Sequence, residues 1–221
     1  MNILLFLEAG FDLSFKTGAI DENARWQNFL QEDLSKFTVS IWLKTDAIRD
    51  DMGLISYATH THADNSITFA MPHSKTIVHL FSINVYEGST VLNDGKWHHV
   101  AFSWESAGGR LKVFEDGKKV HESTGGKTGT KLSKTGVLYI GEEQDSVGGG
   151  LDAKQSFIGM ITGFNVWDRV LPEDELIAVK NQSCHSRIEG NVISWYKDVL
   201  PATTQSVGIQ SSSDACSNSE N

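Results

Sequence analysis

Phe37-Thr38-Val39-Ser40-Ile41-Trp42-Leu43 places Phe37, Val39, Ile41 and Leu43 on one face of an extended chain, because successive side chains of a strand point to opposite sides. The same period of two recurs outward from it. The run Trp97 to Trp104 sets Val100, Phe102 and Trp104 on one face, just after the turn residues Asn93-Asp94-Gly95-Lys96. Leu111-Lys112-Val113-Phe114 leads into Asp116-Gly117, a second hairpin signal. Val137-Leu138-Tyr139-Ile140 and Phe164-Asn165-Val166-Trp167 add further short runs. Turn signals about every 8–12 residues predict an all-β sandwich of two antiparallel sheets. One stretch breaks the pattern. Pro172-Glu173-Asp174-Glu175-Leu176-Ile177-Ala178-Val179-Lys180 opens with proline and acids and closes with lysine, as the helix dipole prefers, and predicts one short α-helix.

With 221 residues, 39 % hydrophobic and 10 % aromatic, the chain is long enough to bury roughly 70 % of its unfolded surface without disulfides. No repeat or long linker divides it, so a single domain over residues 1–221 is expected, with a Ser-rich tail at 205–221. Nineteen Lys and Arg against 28 Asp and Glu give a net charge of −9, a poor match for a phosphate backbone, so no nucleic-acid partner is expected. No run of 18 apolar residues exists to span a membrane. The apolar opening Met1-Asn2-Ile3-Leu4-Leu5-Phe6-Leu7 is interrupted by Glu8 and has no basic flank or small-residue cleavage site, so it does not read as a signal peptide. Cys184 and Cys216 are compatible with free thiols or with one disulfide; a bridge would close a loop of about 33 residues and contribute roughly 3–4 kcal/mol.

The stretch richest in chemistry is Gly141-Glu142-Glu143-Gln144-Asp145-Ser146-Val147, three glycines, then Leu151-Asp152-Ala153-Lys154-Gln155. On an extended backbone Glu143 and Asp145 point the same way, and the glycines let the chain fold back so that Asp152 and Gln155 face them. Such a cluster offers only hard oxygen donors, which suit Ca²⁺ better than zinc or copper; a solvated acidic turn is the plainer alternative. Asp64-Asn65 by itself reads as a turn. The adjacent His98 and His99 point to opposite faces and cannot chelate one ion together, and His60 and His62 lack a third nitrogen or sulfur ligand at a telling spacing. Asn181-Gln182-Ser183 is a glycosylation sequon, usable only in a secreted chain.

Trp97-His98-His99-Val100-Ala101-Phe102-Ser103-Trp104-Glu105-Ser106 resembles the signature of the pentraxin family, His-x-Cys-x-Ser/Thr-Trp-x-Ser/Thr, with Ala101 in place of the cysteine. Glu143-Gln144-Asp145-Ser146 with Gly148-Gly149 and Gln155-Ser156 resembles that family's calcium loop. Gly190-Asn191-Val192-Ile193-Ser194-Trp195 resembles its C-terminal strand. The likeness covers roughly residues 30–200; residues 1–29 match loosely. It implies a two-sheet antiparallel jelly roll of the concanavalin A-like kind.

The resemblance also implies two calcium ions side by side. Asp64, Asn65, Glu143, Asp145 and the main-chain carbonyl of Gln144 would hold one; Glu143, Asp145, Asp152 and Gln155 would hold the other. Asp152 stands where the family more often has glutamate. The expected role is calcium-dependent, lectin-like recognition of phosphorylated, acidic or carbohydrate ligands by a secreted protein of innate-immunity type, assembled as a cyclic homo-oligomer. An adhesion module of a longer extracellular protein or receptor is the alternative. The family's usual disulfide would join Ser40 to Ala101, and both positions lack sulfur here, whereas Cys184 and Cys216 look like an extra C-terminal pair found in some members. Where phosphocholine-binding members carry an aromatic ligand contact, this chain has Ala70, with Phe69 beside it facing inward, so these two are the candidate ligand-pocket positions. Catalysis is not expected. Jelly-roll glycoside hydrolases carry Glu-x-Asp-x-x-Glu, and Gly148 occupies the place of the second carboxylate that a retaining mechanism needs.

Overall fold

The alternating runs form the strands expected of them. A computed structural model describes residues 10–182, 188–211, 213 and 215. Its strands are β1 (Asp12–Phe15), β2 (Ala24–Gln27), β3 (Lys36–Lys44), β4 (Gly53–Thr59), β5 (His62–Ala70), β6 (Ile77–Leu80), β7 (Ile83–Glu87), β8 (Trp97–Glu105), β9 (Arg110–Glu115), β10 (Lys118–Ser123), β11 (Gly136–Ile140), β12 (Gly159–Trp167) and β13 (Gly208–Gln210). They build a seven-stranded sheet in the order β10-β9-β8-β3-β12-β1-β13 and a six-stranded sheet in the order β2-β11-β4-β5-β6-β7. All the paired strands are antiparallel. This is the jelly-roll sandwich, and β3 lies mid-sheet between β8 and β12.

The inward faces follow the period of two. Phe37, Val39, Ile41 and Leu43 of β3 and Val100, Phe102 and Trp104 of β8 are buried between the sheets. The outward face of the seven-stranded sheet is also covered, which alternation alone does not reveal. Helix α1 (Glu173–Gln182) packs Leu176 and Val179 against Ala101, Phe114 and Trp167, and Ala215 closes over Trp42 and Trp97. Hence the odd and even residues of β3 are both buried from Phe37 to Leu43.

The segment after Gly190 departs from the strand expected there. Val166 and Ile193 form a single bridge, and a wide helical turn follows at Trp195–Val199, running into Leu200–Ala202. The Asn165 carboxamide oxygen accepts the amide protons of both Gly190 (2.9 Å) and Trp195 (3.2 Å). Trp195 then stacks on Phe11 with ring centroids 4.5 Å apart. Side-chain capping and this aromatic stack replace further ladder pairing. Cys184 and Cys216, and with them the possible bridge, lie outside the described residues.

Candidate metal centre

The residues of the expected calcium loop follow the end of β11 and lie against the start of β4. Gln144 is the anchor. Its side chain is fully buried; Nε2 donates to the carbonyls of Ser56 and Val137, both at 2.8 Å, and Oε1 accepts the amide of Gly148 at 2.8 Å. With its amide engaged at both ends, Gln144 has only its main-chain carbonyl to offer an ion. The three-glycine turn reverses the chain, and at Gly150 (φ +73°) a Cβ would lie 2.9 Å from that of Asp145, so glycine is required there.

Folded this way, carboxylate oxygens of Asp64, Glu143 and Asp145 lie within 4.8 Å of one another. Asp64 comes from β5, in the other sequence segment singled out for calcium. Asn65, in the left-handed region (φ 59°), donates to the Asp64 carboxylate and accepts from the Thr68 hydroxyl, which fixes the pair. Glu143 is 5 % exposed and its Oε2 has no hydrogen-bond partner among the described residues. Burial pushes its carboxyl up to about 7, with Asp145, Asp64 and Asp51 adding to the shift. Burial, then Asp145, also raises Asp64. An oxygen-only cluster of mutually repelling carboxylates fits a hard cation. Two oxygens bound to one Ca²⁺ at 2.3–2.6 Å are separated by at most about 5 Å, which matches the observed spacing.

Not every expected ligand converges. Asp152 is exposed, and its Oδ1 accepts the amide of Lys154 at 2.9 Å while its carbonyl accepts that of Gln155 at 2.8 Å. Oδ1 is thus engaged within its own loop as an Asx turn, and Asp152 is not one of the three grouped carboxylates. Gln155 does reach the site: its carbonyl accepts the Gly53 amide (2.7 Å) and its Nε2 lies 3.5 Å from Asp51 Oδ2. Asp51, beside the start of β4, lies next to this acidic cluster and adds to the charge that raises Glu143, a neighbour that no spacing in the sequence indicated. Arg49 on the same segment donates to the carbonyls of Ala153 (2.5 Å) and Ser156 (2.9 Å), holding the loop from behind. Beneath it the fully buried Glu142 accepts from Ser156 (2.8 Å), and burial pushes its carboxyl up to about 7.

The ligand-pocket positions are both closed. Phe69 is fully buried, its ring 6.4 Å from that of Phe102, and Ala70 is 5 % exposed. Phe69 is therefore core and cannot contact a ligand, because alternation along β5 turns it between the sheets. The histidines hold structure. His98 Nδ1 lies 2.8 Å from Asp116 and its Nε2 3.0 Å from Asp94, joining two turns. His99 is buried with Nε2 2.8 Å from the Ser40 hydroxyl. His62 packs edge-on against Phe81, and His60 is exposed.

A family model described as the Pentaxin family matches residues 15–207. The chain belongs to the pentraxin family. Neuronal pentraxin-2 of Mus musculus is 35 % identical over 163 residues, 74 % of this chain and 37 % of that protein. The Sushi, von Willebrand factor type A, EGF and pentraxin domain-containing protein 1 of Rattus norvegicus is 30 % identical over 209 residues, 95 % of this chain and 6 % of that protein. The chain thus spans well under half of the curated pentraxin relatives that it matches. Among solved structures, the native heptameric SAP-like pentraxin of Limulus polyphemus superposes with a TM-score of 0.75 over 98 % of this chain and 99 % of that one. At 24 % identity this is a likeness of fold.

Proposed function

We propose that this pentraxin domain is a secreted, calcium-dependent binding module that captures phosphorylated, acidic or carbohydrate ligands at a face carrying two calcium ions. The observation that carries the reading is the convergence of Asp64, Glu143 and Asp145 carboxylate oxygens within 4.8 Å, together with a Glu143 Oε2 that has no partner among the described residues. A buried carboxylate oxygen without a partner is costly unless a cation or proton meets it. Asn65 and the Gln144 carbonyl supply neutral oxygens beside these carboxylates. Calcium, when bound there, offers open coordination positions to ligand oxygens. The methyl of Ala70 provides no aromatic face for a quaternary ammonium, which favours phosphate monoesters and sugars over choline.

A cyclic homo-oligomer is part of the proposal, motivated by the heptameric Limulus relative. Asn181, in the last turn of α1 and exposed, is its glycosylation candidate. The multidomain relative, whose name includes a pentraxin domain, supports the alternative of a module within a longer chain. The test is a head-group and glycan array run with calcium and with chelator, together with calorimetric calcium titration of the unaltered chain and Asp145→Asn. Ligand capture that needs calcium, and loss of both ions in the variant, are expected. Calcium-independent capture, or no calcium uptake by the unaltered chain, would overturn the reading.

A further inference from the structure

We propose that Asp51, and not Asp152, supplies the outer carboxylate of the second cation position. The inference rests on the calcium reading above and assigns one of its ligands. Asp152 is one methylene shorter than glutamate, and its carboxylate is committed to the Lys154 amide within its own turn. Asp51 is half-buried and lies two residues before Gly53, which packs on Glu143. Its Oδ2 is 3.5 Å from the Gln155 side-chain amide, and that amide can present either its nitrogen or its oxygen at the same place.

The backbone holds Asp51 there. Two residues on, Gly53 donates its amide to the Gln155 carbonyl at 2.7 Å, and a Cβ on Gly53 would lie 2.6 Å from that of Glu143. Asp51, Gln155 and Glu143 are therefore tied to one short stretch of β4 and its lead-in. The charge of Asp51 reaches both Glu143 and His79, and His79 stands opposite Thr68 in the β5–β6 pairing. The ligand-seeking element is the unpartnered Oε2 of Glu143, in a residue only 5 % exposed. Carboxylate oxygens of Asp64 and Asp145 lie within 4.8 Å of one on Glu143, and Asp51 and Gln155 lie beside the Gly53 backbone that packs on Glu143, where a second cation would share it.

Calcium titration by calorimetry of the full chain, with Asp51→Asn, Asp51→Glu and Asp152→Asn, decides the matter. Asp51→Asn should lose the second ion or bind it about tenfold or more weakly, at least the scale on which loss of groups around metal ligands acts. Asp51→Glu keeps the charge and should retain the ion, and Asp152→Asn should keep the unaltered stoichiometry. Melting in chelator, unchanged among the three variants, shows that the fold is intact. Loss confined to Asp152→Asn, an equal loss in both asparagine variants, or a titration insensitive to Asp51→Asn would overturn the assignment while leaving calcium binding standing. No calcium uptake by the unaltered chain would overturn both.

Discussion

Gly53 approaches Glu143 so closely that no side chain fits between them: a Cβ on Gly53 would lie 2.6 Å from the Glu143 Cβ and 2.9 Å from its amide nitrogen. The start of β4 thus sets the depth at which the buried carboxylate sits. Gly53→Ala should therefore push the Glu143 backbone outward. Overpacking of this kind costs about 1–3 kcal/mol, to be read by urea unfolding. Calcium affinity should fall in parallel. An alanine variant that loses stability but titrates calcium like the unaltered chain would show that this contact does not place Glu143.

Gln144 ties the loop to the sheet through three hydrogen bonds, to Ser56, Val137 and Gly148. Gln144→Ala leaves the buried Ser56 and Val137 carbonyls and the part-buried Gly148 amide without their partner, each buried group at about 1–3 kcal/mol, so a loss of about 3 kcal/mol or more is expected. The turn at Gly148 should also loosen. Limited proteolysis is then expected to cut within residues 145–154 sooner in the variant than in the unaltered chain. Equal cleavage rates would mean that the loop is held from Arg49 instead, whose guanidinium grips Ala153 and Ser156.

Ser40 and Ala101 are directly opposite in the β3–β8 ladder and both fully buried, at the place where the family resemblance expects a bridged cysteine pair. The double variant Ser40→Cys, Ala101→Cys should oxidise without reductant. Closing a loop of about 60 residues contributes about 4 kcal/mol by the loop-entropy estimate. Loss of the Ser40 hydroxyl removes the 2.8 Å partner of buried His99, which costs about 1–3 kcal/mol. The oxidised form should melt above the unaltered chain without reductant, and the reduced form below it with reductant. An oxidised form that melts lower would show that the ladder geometry here rejects the bridge.

The strands were legible because their signal is local: Phe37 to Leu43 and Val100 to Trp104 alternate with the pleat itself. Coverage of the outer face was not, because Ala101 is covered by Leu176 and Val179 of α1 and Trp42 by Ala215, each more than 70 positions away along the chain. The same division applies to the site. Glu143, Gln144 and Asp145 lie in one run with a recognisable glycine turn, whereas Asp51 carries no motif and comes near them through its contact with Gln155 and the neighbouring Gly53–Gln155 backbone tie. Asp152 has the right residue type and position, yet a hydrogen bond two residues along its own chain decides where its carboxylate goes. At Trp195 the competing term is capping by Asn165, a side chain 30 residues earlier.

The Glu143 carboxyl, held up to about 7 against an ordinary value of 4.5, chiefly by burial and then by Asp145, Asp64 and Asp51, makes calcium uptake a proton exchange. Between those two values the folded chain binds a proton that the unfolded chain has released, so in chelator this group's contribution to stability falls as pH rises through the window. Calcium requires the charged carboxylate, so affinity should rise with pH and level off above about 7, by up to about tenfold per unit below that point if one proton is displaced. The gap between melting temperatures in calcium and in chelator should accordingly widen from pH 5.5 to 8. Glu142 titrates in the same window but bonds to Ser156, so Glu142→Gln should leave the calcium slope unchanged while Glu143→Gln flattens it. A calcium affinity that is constant between pH 5.5 and 8 in the unaltered chain would remove Glu143 from the set of ligands.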